Sequence, residues 1–132
     1  MKEKTYVNLI EKAKTAAKNS YNKYSKFAVG SAVLCANGKI YCAANIENVS
    51  YGLTSCAERN ALFNAVSNGE KKIEAAAVWT KYGNIFPCGA CRQVIFELAP
   101  EADVIINKND KDIIVINIRD LLPFPFLEKN LF

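Results

Sequence analysis

An α/β fold, layered around a mixed sheet of about five strands, is what the sequence predicts. Apolar residues recur at helical spacing near the N-terminus, and two short apolar runs flank an Asn37-Gly38 pair. The strand-like runs that follow alternate with segments of helical periodicity. Strands interleaved with crossover helices argue for a layered α/β domain. With 132 residues the chain is expected to form one domain, 1–132, whose core needs no disulfide staple.

The elements follow in order. Tyr6, Ile10, Ala13 and Ala17 share one helical face, so the segment opens with an amphipathic helix. Charges scattered through "MKEKTYVNLIEKAKTAAKNS" leave no apolar stretch for a secretory signal. Glu3, Glu11 and the lack of arginine there do not suit a mitochondrial transit peptide, so the cytoplasm is the expected compartment. Residues 30–36 and 39–46 read as a hairpin, because Asn37 and Gly38 both tolerate the positive φ of a type I′ turn. That register sets Cys35 opposite Ile40 and Cys42 opposite Val33, a diagonal placement with poor disulfide geometry. Residues 56–67 form the next helix, with Ala57, Ala61, Leu62, Ala65 and Val66 as its apolar face and Asn68-Gly69 as its stop. Residues 72–80 are a buried strand, and 89–98 a second short helix ending before Pro100. Two further strands, 103–107 and 112–117, flank a polar turn. The first two strands are antiparallel, and those that follow a helix are expected to run parallel.

Composition narrows the chemistry. The net charge of +4 is spread over scattered lysines, without the basic stripe of a nucleic-acid binder. No apolar run approaches the ~20 residues of a membrane span. There are five cysteines and no histidine. A zinc site would therefore be built from thiolates, perhaps with carboxylates, and histidine-based nucleophilic machinery is excluded within the chain.

Two clusters carry the chemistry. "CAE" at 56–58 is followed after 28 residues by "PCGAC" at 87–91. Cys88 and Cys91 are three apart, so on one helical turn their sulfurs share a face. Cys56 and Glu58 are two apart and converge only if a helix begins there, with the target beyond its N-terminal end. Pro87 marks a second helix start. Two helix N-termini facing each other would gather three thiolates, favoured by macrodipoles of roughly half a positive charge each. Three thiolates without a fourth protein ligand describe an open zinc site, which leaves Glu58 free to handle protons. A closed structural site completed by Cys35 or Cys42 is the alternative. Arg59 and Arg92 lie close to these cysteines in sequence and could offset the excess negative charge.

The composite motif resembles the zinc nucleoside and nucleobase deaminase signature in its three-cysteine form. "YSKFAVGSAV", "NIENVSYGLTSCAERNALF", "PCGACRQVIFEL" and "LLPFPF" further resemble the small homotetrameric cytidine deaminases, across residues 24–126. The resemblance implies a three-layer α-β-α sandwich. It also implies one zinc ion per chain on Cys56, Cys88 and Cys91, with Glu58 as the proton carrier. Its implied substrate contacts are the Ala57 backbone N–H to the pyrimidine carbonyl, Asn45 and Glu47 to the ribose hydroxyls, and Phe27 against the ring. Tyr51 and Phe126 match positions that reach into a neighbouring subunit's site; the hydrogen bond expected from Arg59 to the charged sulfur rests on the charge count of the thiolates and not on the resemblance. The reaction implied is hydrolytic deamination of cytidine and 2′-deoxycytidine. Competing readings are a deaminase of a modified nucleoside such as blasticidin S, a nucleic-acid editor, and a zinc-stabilised binding module without catalysis. "NIEN" disfavours the second substrate, and an editor would need a basic channel that the chain lacks.

Overall fold

The computed structural model describes residues 2–131. Helix α1 (Lys2–Ala16) leads into the hairpin β1 (Gly30–Cys35) and β2 (Ile40–Ala44). Then come α2 (Ala57–Ser67), β3 (Ile73–Trp79), α3 (Gly89–Leu98), β4 (Asp103–Asn107), β5 (Ile113–Asn117) and the short α4 (Ile118–Leu121). The five strands form one mixed sheet in the order β2-β1-β3-β4-β5. β1 is antiparallel to both β2 and β3, β3 is parallel to β4, and β4 is antiparallel to β5. Strands β2, β3 and β4 therefore all run the same way, as expected for strands joined by helices. β3 nevertheless bonds antiparallel to β1, which lies between it and β2.

The sheet separates two apolar layers. On one face Tyr6, Leu9, Ile10 and Ala13 of α1 pack on Ala32, Ala75, Ala77 and Ile105. On the other face α2 and α3 supply Ala61, Leu62, Ala65 and Ile95 against Val33, Cys35, Ala76, Val104 and Ile106. This is the three-layer α-β-α arrangement. Alternation along β3 sends Ala75 and Ala77 one way and Ala76 the other. A strand covered on both faces at such close range accepts alanine where a half-exposed strand would not need it. Close packing also explains Gly30, where a Cβ would lie 1.8 Å from the Ala13 carbonyl oxygen.

Two expectations are corrected. The hairpin register is Leu34↔Ile40 and Ala32↔Cys42, one residue from the expected pairing. Its loop has three residues: Cys35 N–H donates to the Lys39 carbonyl, and only Gly38 takes positive φ, at 89°. A type I′ turn needs two such residues, whereas a three-residue loop with one left-handed glycine needs one. The slip moves the cysteines to opposite faces, Cys35 in the α2–α3 layer and Cys42 exposed beside Lys12 and Thr15 of α1. Val66 is also exposed, so the buried stripe of α2 runs through Ala57, Glu58, Ala61, Leu62 and Ala65 instead. No helix among the described residues is long and apolar enough to cross a membrane.

Candidate active site

The site lies beyond the carboxyl ends of β2 and β3, where open α/β sheets collect ligands. Helix α2 starts there with Cys56 as its N-cap, and α3 with Cys88 as its N-cap. Both caps have extended backbone, and each carbonyl accepts the first helical hydrogen bond, from Asn60 and Arg92 respectively. Cys91 follows one turn into α3 and is fully buried. The three sulfurs lie within 4.8 Å of one another. Among the described residues no other cysteine, aspartate or glutamate joins them. Cys35 and Cys42, which a closed four-thiolate site would need, sit on the two sides of the sheet instead. The donor set fits zinc: soft sulfur ligands, close enough to share one ion with bonds of ~2.3 Å, and an open fourth position.

One of the three thiols, Cys56, is already polarised toward this use. Cys56 is held well below the usual thiol range, because the Cys91 thiol hydrogen-bonds to it and the Arg59 guanidinium stands beside it. Cys91 is pushed upward by that same hydrogen bond and by burial. Arg59 Nη2 donates to Cys56 Sγ at 3.4 Å, so the arginine does meet the cluster. Its Nε is buried without a hydrogen-bond partner among the described residues. Among the described residues Arg92 makes no hydrogen bond to the sulfurs. It ties the Pro87 carbonyl (2.7 Å) to the Leu121 carbonyl (2.9 Å), bracing the loop before Cys88 against α4.

Glu58 occupies the first turn of α2 and is only 4% exposed. Burial raises its carboxyl to about 7, and the neighbouring Cys56 thiolate pushes the same way. A carboxyl so placed both accepts and releases a proton near neutral pH, the property required of a general acid–base group. Asn60, two residues on, receives the Ser55 hydroxyl at 2.7 Å and donates to the Ala44 carbonyl at 2.9 Å. It thereby pins the strand end to the loop that delivers Cys56.

A cavity of about 170 Å³ opens on this cluster, lined by Val29, Asn45, Thr54, Ser55, Cys56, Ala57, Glu58, Ile85, Phe86 and Cys88. Five of the expected site residues thus meet in one wall. As the first residue of α2, Ala57 has an N–H with no intrahelical acceptor. Phe27 is half-buried against the cluster of Val29, Ala57 and Val78. Glu47 lies in an adjoining cavity with Tyr24, Ser25, Asn48, Tyr51 and Thr54; Thr54 belongs to both cavities.

Asn45 and Glu47 also perform a task that sequence reasoning missed. Asn45 Oδ1 accepts from the Ser20 hydroxyl and from Val29 N–H (3.0 Å), and its Nδ2 donates to the Phe27 carbonyl (2.9 Å). Glu47 accepts from the backbone N–H groups of Tyr24 and Ser25 and from the Ser25 hydroxyl. These bonds hold its carboxyl below the usual carboxylate range, the Ser25 hydroxyl most of all. The two residues therefore build the loop that carries Phe27. Tyr82 was missed as well: its ring stacks on Phe27 with centroids 5.1 Å apart and an interplanar angle of 17°. Tyr51 and Phe126 do not reach the cavity of their own chain, being 76% and 58% exposed. Phe126 is fastened to α3, where Gln93 donates to its carbonyl at 2.9 Å and accepts its N–H at 3.2 Å.

Comparison with known proteins agrees with this geometry. Residues 3–108 match the profile described as the cytidine and deoxycytidylate deaminase zinc-binding region. A cytidine deaminase of Halalkalibacterium halodurans is 44% identical over 125 residues, covering 93% of this chain and 95% of that protein. A blasticidin-S deaminase of Bacillus cereus is 34% identical over 111 residues, covering 77% of this chain and 79% of that one. Among solved structures, cytidine deaminase from Burkholderia pseudomallei superposes with a TM-score of 0.86 at 44% identity, covering 91% of this chain and 98% of that chain. With its fold, its three-cysteine cluster and these relatives in agreement, the chain belongs to the zinc-dependent cytidine and deoxycytidylate deaminase family.

Proposed function

We propose that the chain, as one domain over 1–132, hydrolyses cytidine and 2′-deoxycytidine to uridine and 2′-deoxyuridine, consuming water and releasing ammonia. The observation that carries this reading is the placement of a buried carboxyl, Glu58, beside three convergent thiols at two helix N-termini. Cys56, Cys88 and Cys91 would hold the zinc, with Arg59 offsetting the charge on Cys56. Zinc supplies polarisation of a water molecule for attack at C4 of the cytosine ring. Glu58 takes the proton of that water on a carboxylate oxygen, delivers it to N3, and then carries a proton to the departing amine. The Ala57 N–H orients the pyrimidine carbonyl, Phe27 packs on the ring, and Asn45 and Glu47 address the ribose hydroxyls with the capacity their internal bonds leave. Tyr51 and Phe126, exposed on their own chain, complete a neighbouring subunit's site in a homotetramer. A place in cytoplasmic pyrimidine salvage follows from such a reaction.

The test is a parallel assay of purified protein on cytidine and on blasticidin S, with ammonia release measured before and after removal of metal by a chelator. Chelator-sensitive conversion of cytidine to uridine is expected. Stoichiometric zinc with no turnover of cytidine or deoxycytidine would overturn the reading, and preference for blasticidin S would redirect it to the antibiotic class.

A further inference from the structure

Lysines that look scattered in the sequence meet in space. Lys14 near the end of α1 and Lys18 in the 3-10 turn that follows it line a cavity together with Lys26 and Lys81. Its remaining wall includes Trp79 and the half-buried Asn22. Its volume is about 340 Å³, within the usual range of small-molecule sites. It shares no lining residue with the catalytic cavity.

No acidic residue lines this cavity, and none of the four lysines makes an ion pair among the described residues. Like charges this close repel one another, and among the described residues only the ring contacts of Lys14 with Trp79 and Lys81 with Tyr82 offset that repulsion. Lys14 Nζ lies 5.9 Å from the Trp79 ring centroid, which places charge and aromatic surface side by side. The Asn22 side chain takes part in no hydrogen bond among the described residues and so presents a free donor and acceptor. We propose that this cavity binds a polyanion carrying an aromatic ring, of the nucleoside polyphosphate class. A single phosphate monoester carries about −2 at neutral pH, so four ammonium groups suit a chain of phosphates. Trp79 supplies the ring contact, and the Asn22 amide a polar contact to the base.

Trp79 is the single tryptophan of the chain, so its fluorescence reports on this cavity directly. The probes are ATP, inorganic triphosphate and adenosine. ATP is expected to quench Trp79 saturably with a midpoint below about 1 mM, and less tightly as salt rises. Triphosphate binds more weakly, and adenosine does not saturate. Lys14→Glu combined with Lys18→Glu raises the ATP midpoint on the order of tenfold or more, each reversal replacing attraction by repulsion. Lys18→Ala alone gives a smaller shift of the same sign and stands in should the double variant fold poorly. Cytidine turnover without ATP is unchanged in both variants. Absence of saturable quenching, an ATP midpoint insensitive to both variants, or displacement of ATP by cytidine would each overturn the proposal. A protein that binds ATP here yet leaves cytidine untouched would sink the deaminase reading alone.

Discussion

Replacing Asn45 with alanine tests whether this residue builds the site as well as serving it. The side chain is 9% exposed and makes three hydrogen bonds, to the Ser20 hydroxyl, Val29 N–H and Phe27 carbonyl. At roughly 0.5–1.5 kcal/mol net for each bond, the loss amounts to about 1.5–4.5 kcal/mol. Val29 N–H is buried, so its stranding places the cost in the upper half of that range. Against a total stability of roughly 5–15 kcal/mol, this is a large fraction. Asn45→Asp keeps both acceptor contacts and loses only the Nδ2 donor, setting oxygen against the Phe27 carbonyl; it should cost about one bond plus that repulsion. Urea unfolding measures both, with a midpoint drop on the order of 1–2 M expected for alanine and a smaller one for aspartate. The KM for cytidine should rise together with the loss of stability, since the Phe27 wall is what loosens. An alanine midpoint close to that of the unaltered protein would refute the reasoning and leave Asn45 as a substrate contact only.

Three further outcomes follow from other parts of the molecule. Arg59→Gln removes the 3.4 Å bond to Cys56 Sγ and should weaken zinc retention about 10–100-fold in competition with a chromophoric chelator, as loss of an outer-shell partner does; unchanged affinity would exclude that role. Gln93→Leu removes both bonds to the Phe126 backbone and should raise the KM for cytidine while leaving zinc content intact; a KM equal to that of the unaltered protein would detach the tail from catalysis. Burial pushes the Cys35 thiol from 9.0 to about 11, so the folded state keeps this proton longer than the unfolded chain. The stability it contributes is intact below pH 9 and fades as pH rises toward 11. Urea midpoints across that range should fall less steeply in Cys35→Ala, and parallel slopes would contradict the assignment.

Much of this arrangement is legible in the residues themselves. Helix starts at the two cysteine clusters can be read from Pro87 and from the C-x-E spacing, because only a helix beginning at the cluster lets Cys56 and Glu58 converge. Gly89–Leu98 and Asp103–Asn107 are found with the expected ends. The hairpin register is not legible, since Asn-Gly serves two loop lengths and a one-residue change exchanges the faces of the strand. The exposure of Val66 depends on how α2 is rotated over the sheet, which helical spacing alone leaves open. Long-range polar pairings are invisible for a different reason. Glu47 meets Ser25 across 22 residues and Gln93 meets Phe126 across 33, and no local pattern marks either partner. The lysine cavity is of the same kind, because residues from α1, the Phe27 loop and the end of β3 become neighbours only once the sheet has formed.

The central claim is that three cysteines hold the metal while Glu58, which is not a ligand, moves the protons. Glu58→Gln tests it most directly, because the amide keeps the shape and loses the titrating oxygen. Zinc content and ammonia release from cytidine should be measured on the same preparation. The account predicts about one zinc per chain, as in the unaltered protein, with turnover lowered by about 10²–10⁴-fold or more. Turnover near the original rate, or loss of the metal along with activity, would contradict it.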